Sequence, residues 1–250
     1  MKISVITATY NSAGTLGHTI ESFLDQSWTD AELWVVDGAS KDDTVALAES
    51  FQDPRIRIRS EPDKGIYDAF NKGLRLFEGD AVGYLNSDDR YHDRDALAAI
   101  AAGLEDHDVV HGHLDFVADH ASGKVVRSWR AKPYRPGGFQ RGWMPAHPTF
   151  YVRRAVVDRV GEFDRALSIA GDYDFMIRAI AADGTNVRVG LIDQVLVNMM
   201  VGGESTQGVR AYIKGNLQSL KSRQRWLGSG FVDWALFAKP LGKLTQWLKR

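Results

Sequence analysis

The chain predicts an α/β fold, with a mostly parallel central sheet, helices on both faces and a helical extension at the C-terminal end. Three observations predict it. Short apolar runs such as Ile3 to Thr7 and Leu33 to Val36 alternate with segments of helical periodicity over residues 1–105, the pattern of βαβ units. Acidic and polar residues gather directly after those runs, where open α/β sheets hold their ligands. From Gln207 onward the strand pattern is gone and the sequence reads as helix, broken near Gly228, Gly230 and Pro240.

Taken in order, Leu16, Ile20, Phe23 and Leu24 recur at helical spacing and predict the first helix. Ser40 followed by Asp43 reads as a capping box for a helix through Val45, Ala48 and Phe51. Arg55 to Arg59 alternates as an edge strand. Ile66, Phe70, Leu74 and Phe77 form the next helical stripe, closed by Gly79, and Ala81 to Leu85 is a buried strand followed by Asp93 as the cap of a helix to about Leu104. The pattern then changes. Val109 to Val117 and Lys124 to Trp129 flank the turn-rich DHASGK and predict an antiparallel hairpin. Lys132 to Pro148, rich in Pro, Gly and Arg, predicts a long loop across the sheet face, and loops of that length are usually functional or mobile. A strand at Thr149 to Val152, a helix from near Asp172, and strands at Val187 to Val189 and Val195 to Met199 follow.

The 250 residues, 44% hydrophobic and 25% charged, suffice for a substantial core. With no cysteine, disulfides, thiolate metal sites and a cysteine nucleophile are excluded. MKISVITATYNS enters a strand pattern directly and carries no secretory signal pattern, so a cytoplasmic location is expected. The net charge of −1 hides a split: nine basic residues between Gln207 and Arg250 face one acid, Asp233. The acidic remainder argues against nucleic acid as a partner of the main domain.

Asp88 and Asp89, just past the strand at Ala81 to Leu85, suit a divalent ion that takes one or two protein carboxylates and fills its other positions with phosphate oxygens and water. Two such neighbours repel unless a cation relieves them; solvent exposure is the rival reading. Asp37 ends the second strand and, with Ser40 assigned to the helix cap, is free to bond a ribose hydroxyl or base edge. TATYNS after the first strand lacks GxGxxG, and GxxxxGK[ST] is absent, which argues against a dinucleotide fold and excludes a P-loop. Thr7, Thr9, Tyr10 and Asn11 instead offer hydroxyls, backbone groups and an aromatic wall to a nucleoside. Asp68, Asn71, Lys72 and Arg75 share the helix face opposite the apolar stripe, and Asp63 and Lys64 stand at its electropositive start, placed to orient a sugar or phosphate. In SIAGDYDFMIR, Asp172 and Asp174 open a helix; a capping Asp that faces a cleft can still accept a proton. His147 is the one histidine to test as a metal or pyrophosphate contact.

VITATYNS, VVDGASKDDT, PDKGIYDAFNKG, YLNSDD, AHPTF and GDYDFMIR, in this order over about Met1 to Val201, resemble glycosyltransferase family 2, whose members have the GT-A fold. The resemblance extends to bacterial transferases that build exopolysaccharide or cell-envelope glycans. It implies a nucleotide-binding half at about 1–105 and an acceptor half at about 106–206; composition alone marks 207–250 as a basic amphipathic helical tail. The resemblance further implies that Asp37 binds the nucleoside, that Asp88 and Asp89 form a DxD-like site for Mg²⁺ or Mn²⁺ on the donor diphosphate, and that Asp172, or else Asp174, is the base of an inverting displacement. The donor would be a UDP-, GDP- or dTDP-sugar and the acceptor a glycan or polyprenyl-linked hydroxyl. Two positions depart from the family pattern, ATYN for PTYN and Gly171 for an acid. A nucleotidyltransferase would need a Gly-rich triphosphate loop that TATYNSAG lacks; a catalytically silent nucleotide-sugar-binding or scaffold subunit is the alternative from another class. The tail, with Phe231, Trp234, Leu236, Leu241, Leu244, Trp247 and Leu248 among Lys239, Lys243, Lys249 and Arg250, suits peripheral contact with an anionic membrane, or packing on the domain or a second subunit.

Overall fold

The computed structural model of the chain describes residues 1–182, 184, 186–201 and 209–230. The first four strands are short; all but the third are buried at nearly every residue, as parallel strands covered by helices must be, and the third is partly exposed at the sheet edge. They are β1 (Ile3–Thr9), β2 (Ala31–Asp37), β3 (Ile56–Ser60) and β4 (Ala81–Tyr84). Helices α1 (Leu16–Leu24), α2 (Thr44–Ser50) and α3 (Ile66–Leu76) connect them. All pairings among these four strands are parallel, in the order β3-β2-β1-β4, so their carboxyl ends share one edge.

Beyond β4 the sheet becomes mixed. β5 (Arg90–Tyr91), α4 (Ala96–Asp106), β6 (Val109–Val117), β7 (Val125–Trp129), β8 (Tyr151–Arg153), α5 (Arg154–Val160), α6 (Gly171–Ile180) and β9 (Val189–Met200) follow, then α7 (Val209–Leu227). β8 is antiparallel to β4 and β6, while β9 runs parallel to β6 and antiparallel to β5. The expected hairpin is β6–β7, with an irregularity at Phe116/Val117. Side chains alternate between two cores: Ile3, Val5, Leu33 and Val35 meet α1, α2 and α4, whereas Ile6, Val36 and Val82 meet α3, α5 and α6.

Several local expectations change. The strands expected at Val187 to Val189 and Val195 to Met199 are one strand, β9, whose register with β6 shifts twice near Gly112 and His113. Helix α5 follows the strand at Tyr151–Arg153 directly and is an element the sequence pattern does not predict. Arg154 donates to the carbonyls of Phe77 and Gly79 and lies over the Phe77 ring. Gly79 does not close α3 in a left-handed turn; a Cβ there would lie 2.7 Å from the Lys2 carbonyl, so the glycine permits contact with β1. Asp93 holds the Asp95 amide, and the Gln26 side chain takes the Leu97 amide at the start of α4. The tail positions Phe231 to Arg250 lie outside the described residues.

Gly83 lets β4 pass under the ring of Tyr151, whose Cε1 would lie 2.2 Å from an added Cβ. That ring also carries the hydroxyl shared with Tyr91 at 2.6 Å. Gly83→Ala is expected to cost about 1–3 kcal/mol through overpacking, read as a lower urea midpoint; an unchanged midpoint would refute the close-contact account.

Candidate active site

The loops after β1, β2 and β4 and the starts of α3 and α6 form the site. Asp37 is fully buried: one oxygen accepts the Ser40 amide at 2.9 Å and the Ser60 hydroxyl at 2.7 Å, and the Ser40 hydroxyl donates to the other. The expectation that Ser40 caps α2 and leaves Asp37 free is therefore corrected. Asp42 receives the Thr44 amide at that helix start, and Asp37 organises the β2–α2 loop. Asn11 (φ 49°) and Ala39 (φ 62°) are left-handed residues, a conformation costing roughly 1–2 kcal/mol without glycine. Asn11 is also committed: its side-chain oxygen accepts the Lys41 amide at 2.9 Å and its own amide donates to Ser40 Oγ at 2.7 Å.

Next to this clasp three residues approach one another closely. A Cβ on Gly38 would sit 2.5 Å from Asp63 Oδ2 and 3.4 Å from the Tyr10 ring, so Tyr10, Gly38 and Asp63 converge. Tyr10 is 58% exposed, and the Lys64 side chain is exposed beside it in sequence from Asp63. Two other candidates bond to the protein's own backbone. Thr7 is fully buried and donates to the Leu85 carbonyl at 2.7 Å. Asn71 is buried with both ends of its amide on the Phe163 backbone, at 2.8 and 3.0 Å. Thr9 keeps a buried hydroxyl without a partner among the described residues.

After β4, Asp88 and Asp89 differ. Asp89 has no exposed surface; one oxygen accepts from Asn86 at 2.7 Å and Oδ1 is buried without a partner. Burial, reinforced by the charge of Asp88, pushes its carboxyl well above the ordinary range. Asp88 is half-buried, its carboxylate accepts no hydrogen bond from another described side chain, and burial raises its pKa as well. Its carbonyl receives His120 Nε2 at 2.7 Å from the β6–β7 turn. His147 does not join them: no group of three or more His, Asp or Glu side chains able to hold a metal occurs among the described residues. Its ring stacks on Tyr84 at 4.9 Å, and burial lowers its pKa. Asp89 is sealed in, with Oδ1 lacking a partner among the described residues, and His147 packs against the aromatic core.

At α6 Asp172 and Asp174 are packed differently. Asp174 is buried, paired with Arg178 at 2.9 Å and bonded by Trp226 Nε1 of α7 at 2.9 Å. Asp172 is half-exposed; Oδ1 accepts from the Tyr67 hydroxyl at 3.2 Å and the Tyr173 amide at 2.8 Å, and Oδ2 has no described partner. Asp172 is not the helix cap expected for it, because Gln218 of α7 takes the Ile169 and Ala170 amides. Gly171 also has a physical reason: a Cβ there would lie 2.8–2.9 Å from the Tyr67 ring. An acid at 171 would push away the tyrosine that reaches Asp172.

With the geometry in place, the comparisons decide the family. The sequence profile of Glycosyl transferase family 2 matches residues 4–160. The chain belongs to that family. It is 30% identical over 189 residues to the PGL/p-HBAD biosynthesis glycosyltransferase of Mycobacterium bovis, covering 71% of this chain and 69% of the relative. It is 27% identical over 256 residues to the succinoglycan biosynthesis protein ExoO of Rhizobium meliloti, covering 89% and 72%. Among solved structures, S. aureus TarS 1-349 in complex with UDP-GlcNAc superposes with TM-score 0.69 at 22% identity, over 96% of this chain and 72% of that one. The mannosyltransferase PcManGT of Pyrobaculum calidifontis, with GDP-Man and Mn²⁺, gives TM-score 0.67 at 20% identity over 95% and 68%. The glycosyltransferase thus has the GT-A fold.

Tyr67, Asn86, His120 and Gln218 were not singled out in sequence, because each acts on a partner far along the chain; only the buried-stripe position of Tyr67, three before Phe70, gives a local signal. Asn71→Ala removes two hydrogen bonds to buried backbone. It is expected to lower stability by about 1–3 kcal/mol per group left unpaired, seen in denaturant melts, while nucleotide affinity of the folded protein is retained; a selective loss of nucleotide affinity at unchanged stability would return Asn71 to the binding set.

Proposed function

We propose that this glycosyltransferase moves a sugar from a nucleotide-diphosphate donor to a hydroxyl of a glycan or lipid-linked acceptor, with inversion, in polysaccharide or cell-envelope synthesis. The observation that carries the reading is the division of labour on α6. The Arg178 pair engages Asp174, whereas Asp172 keeps one oxygen without a described partner beside the Tyr67 hydroxyl. The names of the relatives, biosynthetic glycosyltransferases and a succinoglycan protein, support the product class. The nucleotide-sugars bound to the solved neighbours support the donor class.

Tyr10 offers a ring face to a nucleobase, Gly38 allows close approach, and Asp63, Lys64 and the Asp37-organised loop line the ribose and phosphate side. A Mg²⁺ or Mn²⁺ ion fits Asp88: no described side chain donates to its carboxylate, and burial, which raises its pKa, penalises a charge that a cation would relieve. Such an ion, with one protein carboxylate and the donor's phosphates, would neutralise charge on the departing diphosphate. Asp172 Oδ2 takes the acceptor's proton as its oxygen attacks the anomeric carbon, a contribution of about 10²–10⁴-fold. The new C–O bond forms as the bond to the diphosphate oxygen breaks on the opposite face, which inverts the centre and requires no covalent enzyme intermediate.

A thermal-shift series with UDP-, GDP- and dTDP-sugars tests the donor site. Stabilisation by one nucleotide class is expected, enhanced by Mn²⁺, removed by chelator and lost in Asp88→Asn. Stabilisation indifferent to metal and to Asp88 would remove the metal from the account, and stabilisation by NAD(H) alone would remove the donor.

A further inference from the structure

Helix α7 has two faces of opposite character. One faces the domain: Ser219, Ser222 and Arg223 are buried, Arg223 donates to the Tyr173 hydroxyl at 3.0 Å, and Trp226 reaches Asp174. The opposite stripe carries Arg210, Ile213, Lys214, Leu217 and Lys221, whose spacing places them along one line of the helix. All five are exposed, Ile213 by 52% and Leu217 by 53%. With Gln218 they line a shallow depression of about 370 Å³. α7 contains no Asp or Glu, and no described ion pair engages Arg210, Lys214 or Lys221. Two large aliphatic side chains held in water between three uncompensated cations are poorly suited to solvent alone.

We propose that this stripe lays α7 on the surface of an anionic lipid bilayer. The occupant is argued from charge and shape. The aliphatic pair can enter the headgroup boundary while the flanking lysine and arginine stems reach anionic headgroups, the arrangement of an interfacial helix. From Arg210 to Lys221 the stripe is about 17 Å long. No described helix is long and apolar enough to cross a membrane, so the contact is peripheral. The sequence continues in kind, because Phe231 to Arg250 mixes Trp234, Leu236 and Trp247 with Lys239, Lys243 and Lys249. Since Trp226 and Gln218 fasten α7 to α6, the same contact fixes how the Asp172 edge stands relative to the bilayer, where a lipid-linked hydroxyl would be presented. The contact is independent of donor chemistry.

Co-sedimentation of the full chain with vesicles tests it. The wild type is expected to pellet with phosphatidylglycerol-containing vesicles, not with phosphatidylcholine alone, and to be released by high salt. Lys214→Glu/Lys221→Glu and, separately, Ile213→Ser/Leu217→Ser should each weaken binding at least about tenfold with the nucleotide-sugar thermal shift unchanged. Equal binding to both vesicle types, or wild-type binding by both variants, overturns the proposal. So does a wild-type dimer in sedimentation velocity that dissociates in Ile213→Ser/Leu217→Ser, which would give the stripe to a second copy. A missing nucleotide-sugar shift in the wild type would count against the donor reading alone.

Discussion

The outside contacts of the buried Asp174–Arg178 pair set the rest of the site: Arg178 donates to the Val160 and Glu162 carbonyls and Trp226 of α7 donates to Asp174, and together they fix the rotation of α6. Residues two apart on a helix point roughly 200° apart. Drawing Asp174 into the domain therefore turns Asp172 to a half-exposed position beside the Tyr67 hydroxyl. Breaking such a pair from one side costs about 3–5 kcal/mol, since a buried charge is left alone. Trp226 adds a second donor to Asp174, and Gln218 takes the amides that open α6, so α7 holds the same helix from behind. Two carboxylates with nearly identical sequence surroundings acquire different work from one packing decision.

On the donor side the constraint is the shared edge of β1, β2 and β4. Parallel pairing brings their carboxyl ends together, and short polar side chains then tie the loops: Ser87 to Ser12 at 3.1 Å, Ser12 to Thr44 at 2.7 Å, Asn11 to Lys41 at 2.9 Å. The left-handed residues Asn11 and Ala39 lie in this clasp, which is where a fold tolerates strain when neighbours over-determine the backbone. His120 extends the ties to the other half of the sheet through the Asp88 carbonyl, so the hairpin and the donor loop move together.

Much of this was legible in sequence. Strands buried on both faces leave continuous apolar runs, and the carboxylates that follow them mark the ligand edge, which is why β1, β2, β4, Asp37 and Asp88 stand out. The misreadings have a common physical origin in long-range polar contacts. Asn71 and Asp68 lie on the polar face of α3, which reads as solvent-exposed until Phe163 and Arg165, more than ninety residues on, cover it. Ser40 follows the rule for a helix cap, yet the carboxylate at the end of β2 is the stronger acceptor. The α6 rotation had a local sign that was passed over: Asp174 and Arg178 stand at i, i+4.

The most direct test of the α6 account is single-turnover transfer followed by proton NMR, using a nucleotide-sugar that stabilises the protein and a hydroxyl acceptor. The account predicts a product of inverted anomeric configuration, and in Asp172→Asn a transfer rate lower by about 10²–10⁴-fold with donor binding retained. A product of retained configuration, or near-normal transfer by Asp172→Asn, would contradict it.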